Sequence, residues 1–419
     1  MGMKKTQVGM IPEEWGVQSF SETFRILNNN TFSRAELNYD SGQFKNIHYG
    51  DVLILFPEVL DCTREDVPFI NDEVRISGSA QPLQDGDIVM ADTAEDETVG
   101  KVTEVINTGG KAVMAGLHTI PCRVKSGEFA SKWLGYYMNS HFYHDQLLPY
   151  IHGTKVSSVS KGSLKETVII IPSIKEQEKI VDALSDVDAL IKNLQKLISK
   201  KKDIRQGLIQ RLMTGSARLQ GFCGVWEKTT LGHICDIKDG THQTPHYVDG
   251  GIPFYSVETV TNDDFSHVKY ITFEEHERLT ASYKIEKGDV LMTRIGSIGK
   301  GKYVDWEPNA SFYVSLALLK FRGNKSLARF IAHMTETEEF RREAELHSLQ
   351  FAIPMKINLG QISDINVTIP TDKREIEAIN AVLDDGAIEI KKLEQKLKKY
   401  ERLKQGMMEE LLTGKVRLI

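Results

Sequence analysis

IPSIKEQEKIVDALSDVDALIKNLQKLISKKKDIRQGLIQRLMTGSARL, from Ile171 to Leu219, and IPTDKREIEAINAVLDDGAIEIKKLEQKLKKYERLKQGMMEELLTGKVRL, from Ile369 to Leu418, are two versions of one phrase. Both open on Ile-Pro and close on Thr-Gly-x-x-Arg-Leu, and such an internal repeat constrains the architecture before any single element is assigned. In the first copy Ile180, Leu184, Val187, Ile191, Leu194, Ile198, Leu208 and Leu212 follow the four-and-three spacing of a coiled-coil seam. In the second, Ile379, Leu383, Ile390, Leu393, Leu397, Tyr400, Met407 and Leu411 keep the same frame, with Gly386 standing where Val187 does. Glu176, Glu178, Asp182 and Asp186 crowd the start of the first stretch. Lys200, Lys201, Lys202, Arg205 and Arg211 crowd its end, the distribution that the helix dipole favours. Gly215 and Gly414 then act as stop signals.

A helix from about Lys175 to Met213 would be on the order of 55 to 60 Å long at 1.5 Å per residue. An apolar stripe of that length needs a partner, and a seam repeated in register points to the other helix. Connectivity then sets the direction. The first helix leaves one globular half and delivers the chain through the linker Thr214 to Val225 to the second half, from which the second helix starts. A lengthwise pair must therefore be antiparallel, with one globular half at each end. The linker TGSARLQGFCGVW also resembles the C-terminal TGKVRLI joined to the N-terminal QVGMIPEEW, so the chain reads as a nearly closed two-fold cycle.

The segments before the helices, about Trp15 to Leu164 and Trp226 to Asp364, share a sparse skeleton. Each contains a strand opened by a turn, Asp85-Gly86-Asp87-Ile88-Val89-Met90 in the first and Lys287-Gly288-Asp289-Val290-Leu291-Met292 in the second, followed by Gly100-Lys101 or Gly299-Lys300. Helical stretches follow (Ser131 to Leu148, Ser326 to Leu346), then an irregular loop and a β-branched strand ending in Ile-Pro. Each half reads as a mixed α/β module.

At 419 residues, 41% of them hydrophobic and 26% charged, the chain has the composition of a folded protein of two or three compact units. No apolar run approaches the length of a membrane span, and Met1-Gly2-Met3-Lys4-Lys5-Thr6, which fits the letters of a myristoylation signal, reads as an ordinary start. Cys62, Cys122, Cys223 and Cys235 lack CxxC spacing, so reduced thiols in a cytoplasmic setting are expected. A net charge of −6 argues against holding DNA by bulk electrostatics: cations must be grouped locally or supplied by a partner.

Catalytic signatures are missing. Gly296-Ser297-Ile298-Gly299-Lys300-Gly301-Lys302 has the G-x-x-x-x-G-K part of a phosphate loop, but Tyr303 replaces the magnesium-holding Ser/Thr, and a strand-like YVDW follows where a helix is required. It reads as a tight turn. His141 with His144 and His242 with His246 have ligand-like spacing without a matched set to complete a metal site. No Asn/Asp-Pro-Pro-aromatic motif for adenine methylation and no carboxylate-plus-lysine cluster for cleavage stands out.

In its order of elements the chain resembles the type I restriction-modification specificity subunit, a non-catalytic DNA-recognition subunit. The resemblance rests on the twice-occurring IP-x-x-x-E-Q/E-x-x-I and L-x-T-G-x-x-R-L signatures, on Gln7-Val8-Gly9-Met10-Ile11-Pro12-Glu13-Glu14-Trp15, and on Thr293-Arg294-Ile295-Gly296-Ser297-Ile298-Gly299-Lys300. It covers essentially the whole chain. The first half departs from it, with Asp92-Thr93-Ala94-Glu95-Asp96 where the second carries the Arg294 phrase.

The resemblance implies an α/β (α+β) fold: two mixed α/β target-recognition domains separated by two long antiparallel coiled-coil helices in a pseudo-two-fold circular arrangement. The corresponding division is 1–170 for recognition domain 1, 171–219 for the central helical region, 220–368 for recognition domain 2 and 369–419 for the C-terminal helical region. It also implies a bipartite asymmetric target on double-stranded DNA, two methyltransferase subunits and restriction (motor/nuclease) subunits as partners. No cofactor is expected in this chain; S-adenosylmethionine, ATP and magnesium belong to the partners. DNA contacts are expected from loops: Lys101, Thr154, Lys155, Ser157 and Lys161 in the first domain, and His242, Gln243, Arg294, Ser297, Lys300, Lys302, Gln350 and Lys356 in the second. The residues by themselves leave a second reading open, a coiled-coil scaffold with two protein-binding α/β heads, which the negative net charge favours.

Overall fold

The same turn opens the central strand of each half. A computed structural model describes residues 2–64, 66–153, 156–349 and 351–418. The chain divides into unit 1, Met1–Leu194 with Lys396–Ile419, and unit 2, Gln195–Gln395. In unit 1 Gly86 takes a φ of +86°, and the Asp87 carboxylate accepts from the Gln84 N–H at 2.8 Å. In unit 2 Gly288 sits at +106°, and Asp289 accepts from the Glu286 N–H at 2.8 Å. A side chain is strained at such φ values, so glycine is dictated there. A cation on the neighbouring strand completes each turn: Arg123 donates to Asp87 at 2.8 and 2.6 Å, and Lys320 donates to Asp289 at 2.8 Å.

The strands that follow, Ile88–Ala91 and Val290–Thr293, are buried along their whole length, which explains their continuous apolar character. In unit 2 the sheet order is Asp236–Asp239, Leu316–Lys320, Val290–Thr293, Gly301–Tyr303, antiparallel throughout. Unit 1 repeats this frame as Phe24–Ile26, Thr119–Val124, Ile88–Ala91, Val102–Ile106, and adds Val59–Asp61 as a parallel fifth strand. Each unit carries a second, smaller sheet. In unit 1 it is built on Lys45–Ile47 and Val113–Ala115, in unit 2 on Ile252–Tyr255 and Lys269–Ile271. The β-branched strands Val168–Ile171 and Asn366–Pro370 pair antiparallel with Gly16–Ser19 and Trp226–Thr230.

The helical stretch expected over Ser131 to Leu148 is broken into Trp133–Met138 and His141–His144, because the Asn139 side chain bonds the Val102 backbone through both Oδ1 and Nδ2. The stretch over Ser326 to Leu346 breaks at Thr337, whose hydroxyl accepts from the Phe340 N–H and so caps a new helix, Glu338–Leu346.

The two long helices are Ile174–Met213 and Lys373–Leu411. In unit 1 Ile180, Val181 and Leu184 share a core with Leu411 and Leu412, and in unit 2 Ile209, Leu212 and Met213 share one with Ile376, Ile379 and Leu383. Polar contacts give the direction. Asp188 meets Lys404 at 2.7 Å and Glu176 pairs with Arg417 in unit 1; Lys201 meets Glu389 at 2.8 Å and Arg205 Nε donates to the Leu383 carbonyl at 3.4 Å in unit 2. Rising numbers on one helix meet falling numbers on the other, so within each unit the pair is antiparallel.

Of the seam positions, Ile180, Leu184, Leu194, Ile198, Leu212, Ile379, Leu383, Ile390 and Leu411 are buried; Ile191, Leu208, Leu393, Leu397, Tyr400 and Met407 are half-buried. Near the end of the first helix Ile209 is fully buried beside half-buried Leu208. An ideal helix drifts from a strict heptad, and here the drift turns Ile209 into the core of unit 2. Gly386 lies beside the Arg205 stem, where a Cβ would make ordinary contact at 3.8 Å, and Arg205 passes it to pair with Glu336 at 2.8 and 2.9 Å.

That ion pair belongs to a cluster in which His333 faces Asp384 at 3.0 Å and Glu336 at 3.6 Å, and Arg329 meets Asp384 at 2.7 Å. Burial works to lower the His333 pKa, but its bonds to the Asp384 and Glu336 carboxylates win and raise it above the ordinary 6.5. Burial works to raise Glu336, but bonds from His333 and Arg205 bring it from 4.5 down to about 2. A raised histidine stabilises the fold fully below its ordinary pKa and loses that contribution as pH climbs through the raised value; a depressed carboxylate contributes above its ordinary pKa and loses that as pH falls. The urea midpoint of unit 2 is therefore expected to peak between about pH 4.5 and 6.5 and to fall on the alkaline side, a fall that His333→Gln flattens. A midpoint that rises with pH above 6.5 would contradict the assignment.

Candidate nucleic-acid interface

Arg294, at the end of the central strand of unit 2, is 7% exposed, and it draws several segments to one edge of the sheet. Its Nε donates to the Val314 carbonyl at 2.7 Å, and its Nη2 lies 3.4 Å from Asp239 Oδ1. Its backbone N–H donates to the Ser315 carbonyl at 3.0 Å, and its carbonyl accepts from the Ile357 N–H at 3.0 Å. One residue thus pins the loop after Asp236–Asp239, the segment before Leu316, its own turn and the loop ending at Ile357. Asp239 also holds His242, whose Nε2 is 2.8 Å from Oδ2 and whose side chain is 71% exposed. Between them lies Gly240, whose missing Cβ would come within 2.4 Å of the Tyr313 backbone, so the close approach of these two segments dictates glycine.

Around this strut Gln243, Ser297, Lys300 and Lys356 are exposed. Lys300 nevertheless gives its Nζ to the Thr261 carbonyl at 2.6 Å, and Lys302 is ion-paired with Asp263 and lies 5.7 Å from the centre of the Phe265 ring. Lys356 forms backbone bridges with Ile295 and Leu349 and leaves its side chain outside. Gln350 lies outside the described residues. The Gly296 segment connects strand to strand: the Gly299 N–H donates to Thr293 O and the Thr293 N–H to Lys300 O, both at 2.9 Å, and Gly301–Tyr303 pairs back onto Val290–Met292. A phosphate loop feeds a helix N-terminus, so this turn has a different geometry.

Unit 1 repeats the backbone frame with different chemistry. The Asp92 N–H donates to the His118 carbonyl at 3.0 Å, and the Asp92 carbonyl accepts from the Val159 N–H at 2.9 Å, the two bonds that Arg294 makes in unit 2. Asp92 Oδ1 accepts from Thr93 Oγ1 at 2.8 Å and faces His118 Nδ1 at 3.4 Å. Ser157 is half-buried and paired with Ala94, Lys161 is exposed, and Thr154 and Lys155 lie outside the described residues. Lys101 is turned inward, its Nζ donating to the Leu53 carbonyl at 3.0 Å, and burial lowers its pKa.

Arg294, Lys101 and Lys302 are thus occupied within the protein, whereas His242, Gln243, Ser297, Lys356 and Lys161 present exposed side chains. Sequence reasoning passed over His118, which stacks edge-on against Tyr49 at 5.2 Å beside Asp92. Its signal was the Gly116-Leu117-His118 turn between two buried strands. Among the described residues no group of three or more His, Cys, Asp and Glu is placed to hold a metal ion. Among the same residues no helix is long and apolar enough to cross a membrane.

The sequence profile described as "Type I restriction modification DNA specificity domain" matches residues 12–200 and again 224–400. A provisionally named MjaX type I restriction enzyme specificity subunit of Methanocaldococcus jannaschii is 22% identical over 99% of this chain and 96% of its own length. The type I restriction enzyme MjaVIII specificity subunit of the same organism is 23% identical over 64% of this chain and 66% of its own. Among solved structures, the type I restriction-modification S subunit from M. genitalium superposes with a TM-score of 0.57 at 13% identity, covering 96% of both chains. A chain solved in work on complex assembly and conformational transition of the type I R-M system gives 0.59 at 15%, covering 97% of this chain and 99% of that one. At such identities these structures speak for the fold.

Proposed function

Because the chain belongs to the type I restriction modification DNA specificity family, we propose that it reads a bipartite, asymmetric duplex target, one half-site per unit. The observation that carries this reading is the pair of like frames with unlike loops. Asp92 and Arg294 make the same two backbone bonds in their units, yet one brings a carboxylate beside His118 and the other a guanidinium tied to Asp239. Frames that match position the readers alike, and loops that differ read different bases, because sequence is discriminated at groove edges by the side chains presented there.

The candidate readers in unit 2 are His242, Gln243, Ser297, Gln350 and Lys356; Arg294 holds the loops in place, and Lys300 and Lys302 reach a phosphate by giving up their bonds to the Thr261 carbonyl and Asp263. In unit 1 they are Thr154, Lys155, Ser157 and Lys161, with Lys101 in support. The two long helices fix the length of untouched DNA between half-sites. Two methyltransferase subunits and restriction subunits, which carry S-adenosylmethionine, ATP and magnesium, complete the assembly. The net charge of −6 fits a reader whose partners supply much of the phosphate contact.

A random duplex library offered to the chain together with its methyltransferase subunits is expected to yield a split motif, two short defined blocks around an undefined spacer. Enrichment of one uninterrupted block, or of none, would contradict the reading and favour a protein-binding scaffold.

A further inference from the structure

Phe351 and Ile353 are each 101% exposed, as open to water as in an extended chain. Among the described residues these are the most exposed large apolar side chains, ahead of Ile54 at 81%, and they stand two residues apart on one loop rather than scattered singly. The loop that carries them has a firm base. The Leu349 N–H donates to Lys356 O at 2.8 Å, the Ala352 N–H to Leu349 O at 3.0 Å, and Met355 O accepts from the Gly296 N–H at 2.8 Å. The tip therefore stands on the same turn as Arg294 and Ser297, with Lys356 exposed at its foot. In unit 1 a His152–Ser158 bridge precedes Val159, and the sequence it brackets, Gly153-Thr154-Lys155-Val156, has no aromatic residue to match Phe351.

Two side chains cover far less than the roughly 800 Å² per partner of a stable protein contact. A duplex needs no more: one or two apolar side chains such as Phe or Ile suffice to part a base step, and a cation beside them meets the phosphate that must pass. Resting on the DNA-reading function above, we propose that Phe351 and Ile353 form an apolar wedge that enters the duplex at one base step of the half-site read by unit 2 and partly unstacks it. Unstacking selects the steps that open most easily, so the wedge contributes specificity without a hydrogen bond to any base.

The test uses the full chain with its methyltransferase subunits. The probe is a duplex carrying the motif methylated in a host that expresses them, with 2-aminopurine placed in turn at each non-methylated position of the second half-site. The wild-type complex is expected to raise 2-aminopurine fluorescence at one step. Phe351→Ser combined with Ile353→Ser abolishes that rise and weakens binding on the order of tenfold, with the melting temperature of the chain unchanged. No rise at any position with the wild type, or a double variant that keeps both the rise and the affinity, overturns the wedge. So does a double variant that fails to assemble with the methyltransferase subunits in the absence of DNA, which would make the tip a protein contact. If exchanging the unit 2 recognition segment still rewrites one half of the target, the DNA reading survives the loss of the wedge; if no split motif exists at all, both fall.

Discussion

Glu176→Ala is expected to destabilise unit 1 by about 3 kcal/mol, because it leaves the buried Trp15 indole N–H without its acceptor and takes the buried carboxylate away from half-buried Arg417, which still meets Glu14 at 3.0 Å. Glu176 is 4% exposed and accepts from Trp15 Nε1 at 2.9 Å and from Arg417 Nη2 at 2.9 Å, with Arg417 Nε bonded to its other oxygen. The Arg417 guanidinium lies 5.6 Å from the centre of the Trp15 ring. The arrangement has a counterpart. Glu375, 1% exposed, accepts from Arg218 at 2.5 and 2.6 Å, and Arg218 lies 5.5 Å from the Trp226 ring.

In each unit the glutamate that opens one copy of the repeated phrase takes the arginine that closes the other copy. The shared signatures are thus the two jaws of a clamp. Gly414 belongs to it as well: its φ is +70°, and a Cβ would stand 2.6 Å from the Pro12 ring. The clamps differ at the indole, since among the described residues Trp226 Nε1 has no hydrogen-bond partner whereas Trp15 Nε1 has Glu176. Glu375→Ala should therefore cost unit 2 less than Glu176→Ala costs unit 1. For a domain of this size the Glu176→Ala loss corresponds to a fall in melting temperature on the order of 6–12 °C. A Glu176→Ala chain that melts within a degree of wild type would show that the clamp contributes nothing.

The second large effect is on the target. Inserting one heptad into each long helix, after Leu194 and after Gln395 where the two units meet in sequence, keeps the apolar seam nearly in phase, because seven residues are close to two turns. It adds roughly 10 Å of helix, about three base pairs of duplex. The methylated motif should keep both defined blocks and gain a longer spacer. An unaltered spacer with full activity would remove the helices as the element that sets it.

The long helices were legible because a seam of seven-residue period survives any surface substitution, and the central strands were legible because Asp-Gly-Asp and Lys-Gly-Asp announce their turns. The smaller sheets were not. Strands such as Leu37–Asn38, Phe69–Ile70 and Ser311–Phe312 are too short to show alternation, and the parallel strand Val59–Asp61 is held by partners far along the chain. The candidate interface was legible as a set of loops but not as a set of directions. Arg294 reads as an exposed cation until Asp239 and the Val314 carbonyl turn it inward, and Lys101 until the Leu53 carbonyl does the same. Phe351 and Ile353 escaped for the opposite reason: an apolar residue in sequence reads as core, and only the fold shows these two facing water.

The most direct test of the bipartite reading is to exchange residues 226–364 for the corresponding segment of a relative with a different target and to read the methylome of a host carrying the hybrid with its partners. One half of the methylated motif is expected to change to the donor's, with the other half and the spacer unaltered. Methylation that stays at the original motif, or changes in both halves at once, would contradict the assignment of one half-site to each unit.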